Sequence, residues 1–304
     1  MPELPEVHTT ATVLDGLISG LQITDAWTDL GGPIHKGKDT IKNPRFFQKF
    51  RVSVRGSKIK NVTRRGKNVL IHLDNGQTIL VHMKMTGQLL YGTYEKQKTN
   101  SWLAISPVEL KDPFSRFIHF VISFENGRHM ALSDMRKFAK ITLLDTNTAH
   151  TSEHLADIGP EPLEKNFDFK TFKTRLLTRP KGKIKQVLME PAVVAGIGNI
   201  YSDEILWEAG VHPLSIVSKI PETSLKRLFT ATKLLLKKGI DFRGDSTSDY
   251  RTPLGTKGSF QHHHQAYHKF GVKCAKKGCG GTISKFKLGG RTAHFCNKHQ
   301  QCYT

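Results

Sequence analysis

Two Asn-Gly pairs, Asn75-Gly76 and Asn126-Gly127, each stand between alternating apolar runs: VLIHL and TILVHM around the first, FIHFVISF and HMALSD around the second. Such a pair supplies the positive φ that tight hairpins need, so each marks the return of an antiparallel strand. Residues 22–145 therefore read as short strands closing into a β-sandwich or barrel. Ahead of them, Glu6 to Gly20 places Val7, Ala11, Leu14, Leu17 and Ile18 at helical spacing. Beyond Leu144 a polar stretch with two prolines and a glycine reads as a linker. Helices are then expected over 167–178, 183–190, 200–209 and 222–241, with the glycine-containing PAVVAGIGN before the third of them. The expected fold class is α+β with two domains. Its parts are a β-rich domain at 1–145, a linker at 146–160, a helical domain at 161–260 and a terminal module at 261–304.

Lysine and arginine number 46 against 26 acids, a formal charge of +20 in 304 residues. The 38% hydrophobic content is enough for a core and argues against wholesale disorder. A surplus of this size favours a polyanionic partner, because cations that meet phosphates release condensed counterions. The first twenty residues begin with acids and lack a basic leader region, and no apolar run approaches the roughly 18 residues of a membrane span. A soluble intracellular protein is expected, cytoplasmic and nucleoid-associated if bacterial.

All four cysteines fall in the last 31 residues: Cys274, Cys279, Cys296 and Cys302. In an intracellular chain such clustering points to metal before disulfides. Structural zinc takes four tetrahedral nitrogen or sulfur ligands, with short knuckles joined by a longer hairpin. GGTISKFKLGGRTAHF suits that hairpin, with Ile283 and Phe286 read on one side and Arg291 at the turn. The fourth ligand is His299, as C-x2-H, or Cys302, as C-x5-C; the shorter knuckle favours His299.

If Met1 is removed, Pro2 becomes a secondary amine with a reference pKa of about 7.7 to 8.0, nucleophilic at neutral pH. Attack on a sugar C1′ would expel a base and leave an iminium, with Glu3 and Glu6 beside it as proton donor and base. A Met-Pro start alone carries little weight, so its company matters. MPELPEV, VHMKMTG at 81–87, IGPEPL at 158–163, VVAGIGNIYSDEIL at 193–206, AGVHP at 209–213 and the hairpin ending GGRTAHFC resemble, in order, the formamidopyrimidine-DNA glycosylases.

That resemblance runs from end to end. It implies a two-layered β-sandwich joined to a helix-two-turn-helix domain with a zinc finger, and double-stranded DNA carrying oxidised bases lying between them. It implies a monomer with one structural zinc, which excises 8-oxoguanine and formamidopyrimidines and then nicks the backbone by β,δ-elimination. Carried over by motif, Pro2 is the Schiff-base nucleophile and Glu3 the acid at O4′. Lys67 and His82 lie at the backbone near the lesion. Met85, Arg136 and Phe138 fill the gap left by the flipped nucleotide, which physically suits apolar wedges at an unstacked step.

Lys185 is implied near the lesion pocket, Asn199 at a phosphate, and Arg291 as the phosphate clamp on the zinc hairpin. Zinc would be held by Cys274, Cys279, Cys296 and His299, the last standing where the family usually has a fourth cysteine. The loop from Gly244 to Phe260 resembles the one that closes over the flipped base. Met135, Lys137 and Ala139 depart from the family's usual Pro, Arg and Gly. A competing class, a silent zinc protein binding damaged DNA, would keep Asn199, Arg291 and the zinc cluster but need not keep Pro2 and Glu3.

Overall fold

Helix α1 (Leu4–Ile18) starts at Glu3 with a reciprocal cap, in which the Glu3 side chain takes the Glu6 N–H and the Glu6 side chain takes the Glu3 N–H. Pro5 fits the first turn, where its missing N–H costs nothing. Leu4, Val7, Ala11, Leu14 and Ile18 are buried along one face. The computed structural model describes residues 1–304 and divides into two units, residues 1–156 with 242–259 and residues 157–241 with 260–304. The segment 242–259, grouped with the helical region on sequence, thus packs in the first unit.

The first unit is built from two antiparallel sheets. One has the order β1 (Ile23–Thr28), β7 (Ile118–Phe124), β8 (His129–Ser133), β5 (Gln88–Lys96), β6 (Trp102–Ser106). The other runs β2 (Ile59–Arg65), β3 (Asn68–Leu73), β4 (Gln77–His82), β9 (Lys140–Asp145). Val69, Ile71, Ile79 and Val81 of the four-stranded sheet share one core with Leu89, Tyr91, Phe120, Ile122, Met130 and Leu132 of the other and with α1. The two Asn-Gly hairpins form, β3–β4 and β7–β8. Only the glycines take positive φ, 81° at Gly76 and 74° at Gly127. The asparagines instead turn the chain with their side chains, Asn75 accepting from the Gln77 N–H and Asn126 from the Arg128 N–H.

Sequence reading missed α2 (Pro44–Val54). Its signals were present: Asn43 caps it by accepting the Arg45 N–H, Pro44 opens it, and Phe50 and Val54 are buried at helical spacing. Three phenylalanines followed by VSV imitate a strand.

The second unit holds α3 (Phe169–Leu177), α4 (Ile184–Leu188), α5 (Asn199–Ala209), α6 (Glu222–Asp241) and the hairpin of β10 (Ile283–Leu288) and β11 (Arg291–Cys296). Helix α5 packs on α4, α6 and β11 and is buried nearly all round, ending at Gly210 with φ 69°. Strand alternation places Ile283 and Phe286 on opposite faces, correcting the sequence reading. Ile283 packs with Trp207 and Cys296, whereas Phe286 lies against His212 and Phe295.

Candidate active site and nucleic-acid interface

In the first unit the capping geometry of α1 brings two carboxylates to the start of the chain. Pro2, Glu3 and Glu6 are buried. Glu6 Oε2 accepts the Glu3 N–H and Oε1 the Asp245 N–H, both at 2.7 Å, and the Tyr250 hydroxyl donates to the Glu6 carbonyl at 3.1 Å. Burial, and then the charge of Glu3, push the Glu6 carboxyl up to about 7. Burial lowers the Met1 α-amine from its ordinary 8.0, a shift that Glu3 and Glu6 oppose and Lys67 assists. Burial also drives the His82 imidazole down to about 3, reinforced by Lys84 and Lys67. Its Nδ1 accepts the Lys84 N–H at 3.0 Å, which fixes the neutral ring. The structure therefore gathers the N-terminus, Glu3, Glu6, Lys67 and His82 into one electrostatic neighbourhood. Asp245 and Tyr250, which complete it, were not singled out on sequence; the polar run around them carries no local signal.

Met85 and the Arg136–Phe138 turn come together through a buried carboxylate. Asp134 Oδ1 accepts the Thr86 hydroxyl at 2.5 Å and the Arg136 N–H at 3.3 Å, and its Oδ2 accepts the Ala139 N–H at 2.7 Å. Thr86 Oγ1 also accepts from the Arg136 N–H. Phe138 is 51% exposed, with the Arg136 guanidinium 4.6 Å from its ring centre. A large exposed apolar residue fixed by such a bonded turn is a feature that folding alone does not require.

In the second unit, Asn199 opens α5 behind Gly198. Its side-chain Oδ1 is buried and takes no hydrogen bond. The residue also lines a cavity of about 650 Å³ together with Tyr267, His268, Lys285, Lys287 and Thr292. Lys185 is 1% exposed, and its ammonium donates to Asp203 at 2.5 Å and to Ser202 at 3.2 Å. The other Asp203 oxygen accepts the backbone N–H of His294 at 3.0 Å and sits equally close to its ring Nδ1, tying α5 to β11. Asp203 was not singled out on sequence, though a charged residue on a helix buried all round must have partners. Glu204 accepts the N–H groups of Gln265, Ala266 and Tyr267, a structural role. Arg291 is exposed after Gly289 and Gly290, whose φ values of 55° and 74° make the two-residue hairpin turn.

The donor atoms of Cys274, Cys279, Cys296 and His299 lie within 4.8 Å of one another, a set able to hold a metal ion. Cys279 Sγ is 3.4 Å from Cys296 Sγ and 3.7 Å from His299 Nδ1. The edges of a tetrahedral zinc site with these ligands are about 3.5 to 3.8 Å, so the donor set fits. His299 Nε2 donates to the Trp207 carbonyl at 2.9 Å, leaving Nδ1 as the ligand atom. Cys302 is exposed and outside the cluster.

Residues 1–141 match the formamidopyrimidine-DNA glycosylase N-terminal domain, and residues 158–251 the H2TH domain of the same enzymes. The chain belongs to the formamidopyrimidine-DNA glycosylase family. The glycosylase of Heliobacterium modesticaldum is 34% identical over 301 residues, covering 99% of this chain and all of that one. That of Herpetosiphon aurantiacus is 36% identical over 297 residues, covering 97% and 98%. Among solved family members, a complex of the Lactococcus lactis enzyme with abasic-site DNA superposes with a TM-score of 0.79 at 30% identity, covering 97% of each chain. A complex of MutM with DNA containing carbocyclic 8-oxoguanine gives 0.80 at 30% identity, covering 97% and 98%. No helix of this glycosylase-family chain is long and apolar enough to cross a membrane.

Proposed function

We propose that the protein excises oxidised purines from double-stranded DNA and cleaves the backbone at the resulting abasic site. The observation that carries this reading is the buried Glu3–Glu6 pair at the chain start, with Glu6 raised to about 7. A carboxyl poised there exchanges protons at neutral pH. Removal of Met1 would place the Pro2 amine in surroundings that already depress an α-amine.

In the first step the Pro2 nitrogen bonds to C1′ of the damaged nucleotide. The glycosidic bond breaks, and its electron pair leaves with the base, which takes up a proton as the attacking Pro2 nitrogen gives up its own. Glu3 protonates O4′ as the sugar opens and the nitrogen becomes an iminium. That cation withdraws electrons, so loss of a C2′ proton expels the 3′ phosphate, and a second elimination expels the 5′ phosphate.

Lys67, His82, Asn199 and Arg291 hold phosphates in this scheme, and the cavity that Asn199 lines together with Lys285 and Lys287 supports its part. Met85, Arg136 and Phe138 fill the vacated stack. Lys185, enclosed by α5, supports the Asn199 turn from behind. Cys274, Cys279, Cys296 and His299 would hold one zinc, which when bound stiffens the hairpin carrying Arg291. The 244–260 loop, anchored on Glu6 through Asp245, is the segment that would cover a flipped purine. The site of action is wherever the chain meets DNA, the cytoplasm in a bacterial cell.

Borohydride trapping on a duplex with 8-oxoguanine opposite cytosine tests this directly. A covalent adduct is expected, weakened or redirected in Pro2→Gly, with a mass measurement confirming loss of Met1. No adduct on either that duplex or an abasic one would leave a silent damage-binding protein as the better description.

A further inference from the structure

Lys137 sits between Arg136 and Phe138 with φ 57°, in the left-handed region that disfavours every residue with a side chain. Lys84, next to Met85, is the other left-handed lysine of this surface, with φ 54°. A turn of this kind persists only where its surroundings over-determine it. Around Lys137 three amide hydrogens converge on one residue: its own N–H goes to the Asp134 carbonyl at 3.1 Å, and those of Arg136 and Ala139 go to the Asp134 carboxylate. The Lys137 carbonyl has a different partner, the ammonium of Lys42, at 2.6 Å.

Lys42 arrives on a segment that is itself pinned. Ile41 donates its N–H to the Ile141 carbonyl, the Thr142 hydroxyl donates to the Asp39 carbonyl, and Asn43 bonds the Lys38 carbonyl while capping α2. Burial, together with the charges of Lys38 and Lys84, lowers the Lys42 ammonium from its ordinary 10.5, against the pull of Asp134. A cation held in such company, bonded to a carbonyl, is placed for geometry more than for charge balance.

We infer that Lys42 is a positioning residue for the wedge turn: by fixing the peptide between Lys137 and Phe138 it aims the phenyl ring and the Arg136 guanidinium stacked on it, and so sets discrimination of the base opposite the lesion. The inference rests on the reading of Arg136 and Phe138 given under the proposed function. Its physical basis is that the Lys137 carbonyl belongs to the peptide leading into Phe138. Rotation of that plane swings the ring, and the guanidinium 4.6 Å away loses its platform.

The test is equilibrium binding, by fluorescence anisotropy, to duplexes with a tetrahydrofuran abasic analogue opposite cytosine or adenine. The intact protein is expected to prefer cytosine. Lys42→Met keeps the length and removes the donor, and should shrink that preference by about tenfold, the worth of one hydrogen bond from a charged group. Lys42→Arg should restore most of it, and the melting temperature of both variants should stay within about 2 °C of the parent.

A parent protein with no preference, or a Lys42→Met protein that retains it, overturns the inference. So does an equal weakening on every duplex, undamaged ones included, with a salt slope smaller by about one, which would make Lys42 a phosphate contact only. Loss of preference accompanied by a lowered melting temperature and no rescue by arginine assigns Lys42 to general stability and overturns it as well. Binding needs no base excision, so a protein that discriminates the opposite base yet excises nothing refutes the proposed reaction and leaves this inference standing.

Discussion

Glu6 Oε1 accepts the Asp245 N–H at 2.7 Å across 239 residues of sequence, fastening the 242–259 segment to the first turn of the chain. Gly244 makes the approach possible. It has φ 85°, and a Cβ there would stand 2.8 Å from Glu6 Cγ. The same carboxylate also closes the α1 cap, so one buried acid serves the helix start and the loop.

That arrangement predicts a pH effect of defined sign. Glu6 titrates near 4.5 unfolded and near 7 folded, so its protonated form is favoured by folding. The stabilisation is complete below the unfolded value and is lost as pH rises through about 7. His82, depressed from 6.5 to about 3, has the opposite sense: its contribution is complete above 6.5 and is lost on acidification. The window from 6.5 to about 8.5 is therefore free of His82. Between those limits Glu6 should remove about 0.8 kcal/mol of stability. The depressed Met1 amine works the other way in this range, so the quantity to compare is the difference between the parent and Glu6→Gln. Urea denaturation should show that difference shrinking as pH rises, from a variant weakened because its amide NH2 meets a backbone N–H. A constant difference would refute the assignment.

How much of this was legible depends on whether a residue's partner is local. The hairpins announced themselves because Gly76 and Gly127 must turn the chain within a few residues, and the Cys/His cluster because ligand spacing is itself a sequence quantity. Helix α2 carried its Asn43-Pro44 start, but its aromatic residues obscured the 3.6-residue period. The Glu6–Asp245 and Lys185–Asp203–His294 contacts join distant segments, and one sequence without an alignment holds no trace of which acid meets which cation. The role of Lys42 was hidden for the same reason. Its acceptor is a backbone carbonyl, which any residue supplies.

The metal cluster makes a second prediction. One zinc per chain is expected, and Cys279→Ser or His299→Ala should weaken its binding by at least about 100-fold. Cys302→Ser should leave it unchanged, since that thiol lies outside the cluster. The Trp207 ring packs edge-on to the His299 imidazole with centroids 5.4 Å apart, so its fluorescence should change on chelation. Zinc retained in His299→Ala but lost in Cys302→Ser would reverse the ligand assignment.

The Lys185–Asp203 pair, 1% and 0% exposed, tests whether α5 and the β10–β11 hairpin act as one piece. Asp203→Asn strands the Lys185 ammonium in the interior and removes the anion that receives the His294 N–H, so a loss of about 3–5 kcal/mol is expected. Lys185→Met leaves the carboxylate alone and should also be costly. Replacing both, with Lys185→Met and Asp203→Leu, removes the charges together. The double variant should be more stable than the two single losses sum to, with a coupling of at least about 2 kcal/mol. Hydrogen exchange separates local from global effects: in Asp203→Asn the His294 amide should exchange faster while the zinc content stays at one per chain. Additive losses, or an unchanged His294 amide, would mean that Asp203 does not hold β11 to α5.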